Sequence, residues 1–266
     1  MNGITINIDP VMLHLGAFQL RWYGLAIITA ILAAILISAR RAKNRGLSPD
    51  AIYELAIWVV AGGILGARIF HVIDRWDLYS AHPAAIFQIQ QGGLAIWGAL
   101  AGGGLVLLLF TRIKRLSLGR IADIIVPGLL VAQMIGRIGC IINGDAYGAV
   151  TTLPWAFIYV HPDAAIPAEF FGLLTHPYPV YEIIWNAISL VVLLKAEKSF
   201  RRGGQLFLAY LGLYSLGRFA FTFVRQESRF LWGLQQAQLI ALLGIVVSIV
   251  LFTYFSYRER IKEAVN

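Results

Sequence analysis

A single cysteine, Cys140, occurs in the 266 residues, which excludes an intramolecular disulfide and any cysteine-based metal cluster. Charge is scarce as well: Asp, Glu, Lys and Arg make up 14% of the chain against 59% hydrophobic residues, and the mean hydropathy is +0.72. A soluble globular domain does not carry that balance. No HExxH, Walker-type loop, EF-hand pattern or internal repeat is found, so the expectation is no metal and no cofactor. The first twenty residues lack a basic stretch and a small-residue cleavage site, so the first apolar run is expected to stay in place.

What the chain has instead is apolar runs of about 20 residues, the length a helix needs to cross the hydrocarbon core. They fall at roughly Leu20–Ala39, Ala51–Ile73, Gly92–Thr111, Ile121–Ile142, Pro179–Leu194, Gly204–Val224 and Gln235–Tyr257. The fold class expected is therefore an all-α membrane protein of seven transmembrane helices. No linker divides it, so residues 1–266 read as one integral membrane domain. The connection at about 143–178, with Pro154, Pro162, Pro167 and Pro177, forms at most a small loop subdomain between spans four and five.

The net charge of +8 might suggest nucleic acid, but its distribution argues for orientation. Basic clusters follow span one (Arg40, Arg41, Lys43, Arg45), span three (Arg112, Lys114, Arg115, Arg120), span five (Lys195, Lys198, Arg201, Arg202) and span seven (Arg258, Arg260, Lys262). Every alternate connection is basic, which by the positive-inside rule puts those loops and the C-terminus in the cytoplasm and the N-terminus outside. The 143–178 connection has no Lys or Arg, as an outer loop should. No nucleic-acid partner is expected.

Polar residues inside the spans carry the functional signal. Counted at 1.5 Å per residue from the inner ends, Arg68, Arg137 and Arg218 lie roughly 20–26 Å up a core about 30 Å thick. Arg21, Tyr23, Trp97, Tyr181 and Glu182 lie within about two turns of the outer ends of their spans. A lone arginine near a helix end often snorkels to the interface, which is the ordinary reading for Arg21 and Arg225 and competes evenly for Arg68. Arg137 and Arg218 resist it: Tyr214, Arg218 and Thr222 share one helix face, Glu182 and Asn186 another, and charges facing a bundle interior are functional by default. Gly62, Gly66, Gly98 and Gly102 have the spacing of close helix packing, and Trp22, Trp76, Trp155 and Trp232 that of an interfacial belt.

Arginine presents planar, bidentate donors suited to phosphate, and the outer-leaflet level is where a phospholipid phosphate sits. An anionic lipid is the natural guest. The segment MIGRIGCIINGDAYG, Met134 to Gly148, places Arg137, Asn143 and Asp145 among glycines where span four ends, as an anion site at the mouth of a bundle would.

The segments LRWYG (Leu20–Gly24), GGLAIWGALAGG (Gly92–Gly103), GRIGCIINGDAYG (Gly136–Gly148), HPYPVYE (His176–Glu182) and YSLGRFAFTFVRQ (Tyr214–Gln226) carry a resemblance to the bacterial phosphatidylglycerol:prolipoprotein diacylglyceryl transferase family. The resemblance covers essentially the whole length of the chain. It implies transfer of diacylglycerol from phosphatidylglycerol to the thiol of the lipobox cysteine in a preprolipoprotein signal peptide, forming a thioether and releasing glycerol phosphate. It also implies a bacterial cytoplasmic (inner) membrane location with the active site facing the outer leaflet. Catalytic roles are expected at Arg137, Arg218, Tyr23 and Asp145, and phosphatidylglycerol binding at Arg137, Asn143, Gly148, Tyr214, Arg218, Glu182 and Arg225.

The sequence departs from the family pattern at four points. Trp97 stands where a histidine is common, Cys140 at an asparagine, Asp145 at a glutamate, and Thr222 at the glutamate one turn beyond Arg218, which loses a partner by it. Asp145, His176 and Glu182 stay open as the base, as does activation of the thiol by the arginines alone. Cys140 reads as a small buried hydrophobe, since the nucleophile belongs to the substrate. Two other classes stay open: a lipid or anion transporter, which should show paired interrupted helices or repeats, and a non-catalytic or altered-substrate anionic-lipid-binding protein, which binding without turnover would reveal.

Overall fold

The structure is a computed structural model that describes residues 3–15, 18–88, 92–225 and 229–265. Gln226, the last residue of the fifth motif, lies outside them. Helices dominate the described chain: α1 Trp22–Asn44, α2 Pro49–Asp74, α3 Trp76–Ala81, α4 Ile96–Ile113, α5 Leu118–Asn143, α6 Tyr178–Ala196, α7 Gln205–Thr222 and α8 Gln236–Val265. Local signals set the ends. Ser48 Oγ accepts the Asp50 N–H at 3.2 Å with Pro49 at the first helical position of α2, a polar cap and a preset φ at the two places a helix start favours them. Ahead of α7, Gln205 Oε1 accepts the N–H groups of Arg201 and Arg202, both at 2.9 Å.

Six of these helices are long and apolar enough to cross a membrane: α1, α2, α4, α5, α6 and α8. The protein is a predominantly helical, multi-pass membrane protein. The run expected at Gly204–Val224 does fold as a helix, α7, but it does not join the six. Gln205, Tyr210, Tyr214, Ser215, Arg218 and Thr222 spread polarity along its length, the price of building a site into a helix.

The chain forms two compact units, residues 38–124 and residues 1–37 with 125–266. In the first, α2 and α4 pack at a glycine crossing. A Cβ on Gly98 would collide with the Gly66 carbonyl and one on Gly102 with the Gly62 carbonyl, so the spacing read as close packing is that. Ala39, Ala42, Ile52, Leu55, Phe110, Ile121 and Ile124 fill the core of this unit. Arg68 is 6% exposed and closes a loop: Nε donates to Ile86 O at 2.8 Å, Nη1 to Gly92 O and Gly93 O at 2.8 and 2.9 Å, and Nη2 to Ala85 O at 2.5 Å. With four of its five N–H groups held by carbonyls, Arg68 is engaged within its own unit and is not a snorkelling arginine.

In the second unit, Val126, Leu130, Leu193, Leu206 and Tyr210 form the core between α5, α6 and α7. The 144–177 connection has a cluster of its own, Phe157, Tyr159 and Ile166 with Ile6 and Ile141 packed against it. Its strand β4, Phe157–Tyr159, pairs in parallel with β1, Ile4–Ile6. Two short antiparallel hairpins complete the unit, Val11–Leu15 with Phe18–Arg21 and Arg229–Leu231 with Leu234–Gln235.

Candidate functional site

Three helices of the second unit bring their polar residues together. The last turns of α5 carry Arg137, Cys140 and Asn143, the first turns of α6 carry Tyr178 and Glu182, and the second half of α7 carries Tyr214, Arg218 and Thr222. Glu182 stands at the centre. Its Oε2 is ion-paired with Arg137 Nε, and its Oε1 lies 3.3 Å from Arg218 Nη1. The Tyr178 hydroxyl donates to the same Oε1 at 2.8 Å and accepts from Arg218 Nη1 at 2.6 Å. The Glu182 side chain is 9% exposed, and those of Arg137 and Arg218 are 24% and 19% exposed. One carboxylate therefore faces two guanidinium groups in a mostly buried setting, which leaves an excess positive charge. Among the described residues no acceptor reaches Nη2 of Arg137 or Nε and Nη2 of Arg218. Such a cluster suits an anion, and its planar donors match a carboxylate or phosphate.

A family model described as prolipoprotein diacylglyceryl transferase matches residues 10–254. The chain belongs to the prolipoprotein diacylglyceryl transferase family. Relatives named phosphatidylglycerol–prolipoprotein diacylglyceryl transferase agree over the full length. That of Lysinibacillus sphaericus is 39% identical, covering 100% of this chain and 98% of its own. Those of Nostoc sp. and Listeria welshimeri are 38% and 37% identical, covering 94% and 95% of this chain and 90% and 91% of theirs.

The residues for which the transferase resemblance implied roles do not all converge. Arg137, Arg218 and Glu182 form the cluster just described. Arg225, expected to snorkel, brings its guanidinium within 5.3 Å of the Tyr178 ring centroid, on which Arg137 also bears at 5.8 Å. Tyr214 is half-buried, its ring 6.0 Å from that of Tyr210, and it lies within electrostatic reach of Arg137 and Arg218. A second group surrounds the end of α5. Asn143 Oδ1 accepts from Arg21 Nη1 at 3.3 Å, so Arg21 is engaged rather than snorkelling. Tyr23 lies against Gly139, where an added Cβ would meet its Cδ2 at 3.4 Å. Asp145 is exposed, and its charge reaches both Tyr23 and Cys140.

Gly148 acts through its backbone. Its N–H donates to His176 O at 3.1 Å, and the next residue's N–H donates to Val224 O at 2.7 Å. This stitches the loop after α5 to the approach to α6 and the exit of α7. A Cβ at Gly148 would stand 2.7 Å from His176 Cβ and 2.8 Å from Val224 O, so only glycine lets the three segments meet. His176 itself is hydrogen-bonded through Nδ1 to the Tyr181 hydroxyl at 3.1 Å, and burial holds its imidazole below the usual range.

The departures from the family pattern have physical counterparts. Thr222 turns its hydroxyl back to the Arg218 carbonyl, and the partner expected to be lost on α7 is supplied from α6 by Glu182 and Tyr178. Cys140 is buried with Ala146 and Tyr178, and its sulfur is 3.9 Å from Arg137 Nη1, consistent with a packing role. Trp97 is 40% exposed in the other unit.

Tyr178 is the member of this cluster that sequence reasoning missed. Its signal was present: it precedes Glu182 by four residues, the spacing that stacks side chains on one helix face. Among the described residues one group has metal-ligand character, Asp9, His161 and Asp163, whose ligand atoms lie within 4.8 Å of one another at the surface.

Proposed function

We propose that this chain transfers the diacylglyceryl group of phosphatidylglycerol to the lipobox cysteine of a preprolipoprotein signal peptide. The substrate thiolate attacks the glycerol carbon next to the phosphate, a C–S bond forms, the C–O bond breaks, and glycerol phosphate leaves with the electron pair. The observation that carries this reading is the sharing of Glu182 by Arg137 and Arg218. It presents a cationic cluster, short of one negative charge, to the phosphate whose charge grows as the C–O bond breaks. Donors already in place in a site of low dielectric act most strongly on such developing charge.

Glu182 has both oxygens committed to the arginines and Tyr178, so it orients them and is not the proton acceptor. Asp145, which makes no hydrogen bond or ion pair among the described residues, is the carboxylate suited to take the thiol proton, with Tyr23 within reach of its charge. Asn143, Gly148, Tyr214 and Arg225 complete the lipid site. The membrane arrangement that goes with this is a single domain of seven spans, with α7 as the seventh, a bacterial inner-membrane location, basic loops and C-terminus in the cytoplasm, and the site and 144–177 loop open to the outer leaflet. Phosphorus NMR of purified protein with phosphatidylglycerol and a lipobox peptide tests the chemistry. Glycerol phosphate should accumulate only when the peptide carries its cysteine, and release that ignores the cysteine would instead mark a phospholipase C-like hydrolysis to diacylglycerol.

A further inference from the structure

We propose that Tyr178 is a positioning residue with two separable roles: its ring draws the Arg137 and Arg225 guanidinium groups together, and its hydroxyl fixes the orientation of Arg218. This rests on the transfer reaction proposed above. Tyr178 is 0% exposed. Glu182 supplies one negative charge, which Arg137 and Arg218 together already exceed. The negative face of an aromatic ring attracts cations without itself being a charge, and the Tyr178 ring centroid lies 5.8 Å from Arg137 Cζ and 5.3 Å from Arg225 Cζ. A second carboxylate there would neutralise the cluster and weaken it for phosphate, whereas a ring holds the cations together and leaves their charge in place.

The hydroxyl acts elsewhere. At 2.6 Å from Arg218 Nη1 and 2.8 Å from Glu182 Oε1, it completes a three-membered network. Without it, Nη1 of Arg218 keeps only the 3.3 Å contact to Glu182. Thr222, one turn on, is no substitute, because its hydroxyl is spent on the Arg218 backbone carbonyl. Loss of the hydroxyl therefore loosens the guanidinium that meets the leaving phosphate, and loss of the ring disperses the cluster that binds the lipid.

Two variants of the full chain separate these roles, each assayed beside the wild type in mixed micelles of varied phosphatidylglycerol content. Tyr178→Phe keeps the ring: kcat should fall about 10- to 100-fold while KM for the lipid stays within about threefold. Tyr178→Gln keeps polar groups and drops the ring: KM should rise about tenfold or more, with a smaller fall in kcat than in the Phe variant. A Phe variant with wild-type kcat overturns the proposal, and so do two variants that lose activity only in proportion to their folded fraction. Absence of transfer by the wild type counts against the transferase reading instead. The Tyr178 proposal then stands on the rise in melting temperature with added phosphatidylglycerol, kept by Tyr178→Phe and lost by Tyr178→Gln. Equal rises in both overturn it.

Discussion

Arg137 on α5 and Arg218 on α7 meet on one carboxylate, that of Glu182 on α6. Two like charges held this close in a mostly buried site repel each other, and a single acid cannot neutralise both. The pair therefore carries an excess positive charge that an anion between the arginines would offset.

Arg137→Ala and Arg218→Ala should each lower kcat for transfer by about 100- to 1,000-fold, the usual loss for one preorganised donor to a developing oxyanion. The Lys variants should recover only part of it, because an ammonium keeps the charge but not the planar fork. Turnover numbers for the four proteins, compared at matched folded fraction, check this.

Glu182→Gln removes the shared counter-ion and leaves the arginines facing each other. Breaking a buried pair on one side costs about 3–5 kcal/mol, towards the lower end here because the arginine side chains are about one-fifth exposed. The variant should melt several degrees lower in detergent, and added phosphatidylglycerol should raise its melting temperature more than it raises that of the wild type.

Cys140→Ser should keep most of the activity. The thiol is buried beside Tyr178 and Ala146, where it fills space, and the attacking sulfur comes from the peptide. Loss of transfer in a stably folded serine variant would require a covalent enzyme intermediate.

Gly148→Ala should be the most damaging of the small changes. The new methyl would press on the His176 side chain and the Val224 carbonyl, and overpacking of this kind costs about 1–3 kcal/mol. The strain falls on the stitch between the α5 loop, α6 and α7, so melting temperature and transfer should fall together.

The sequence was most legible where one residue type permits one reading. Apolar runs located the long helices to within about five residues, except that α8 runs on past Tyr257 to Val265 through its basic end, and the glycine spacings located the α2–α4 crossing. Arg137, Arg218 and Glu182 were found because a charge in an apolar helix needs a partner, although helical counting could not say that these three were one another's partners. Arg68 resembles them by that counting, yet its donors close a loop of carbonyls 17 to 25 residues away, and backbone acceptors leave no mark in a sequence. Thr222 appeared to leave Arg218 alone because the partner was sought on the same helix. Tyr178 was passed over because it falls at the end of the 143–178 connection, one residue ahead of the span expected from Pro179, and only the packing of three helices turns it inward. The seventh apolar run illustrates the same conflict, since the polar face that builds the site dilutes the signal by which a span is recognised.

The central claim is that the two arginines around Glu182 stabilise a leaving phosphate as a peptide thiol is alkylated. Mass spectrometry of a one-cysteine lipobox peptide, incubated with phosphatidylglycerol and either the wild-type protein or Arg218→Ala, tests it most directly. The account predicts a diacylglyceryl mass gain on the cysteine with the wild type and almost none with the variant, while both bind the lipid. An equal mass gain with folded Arg218→Ala would contradict it.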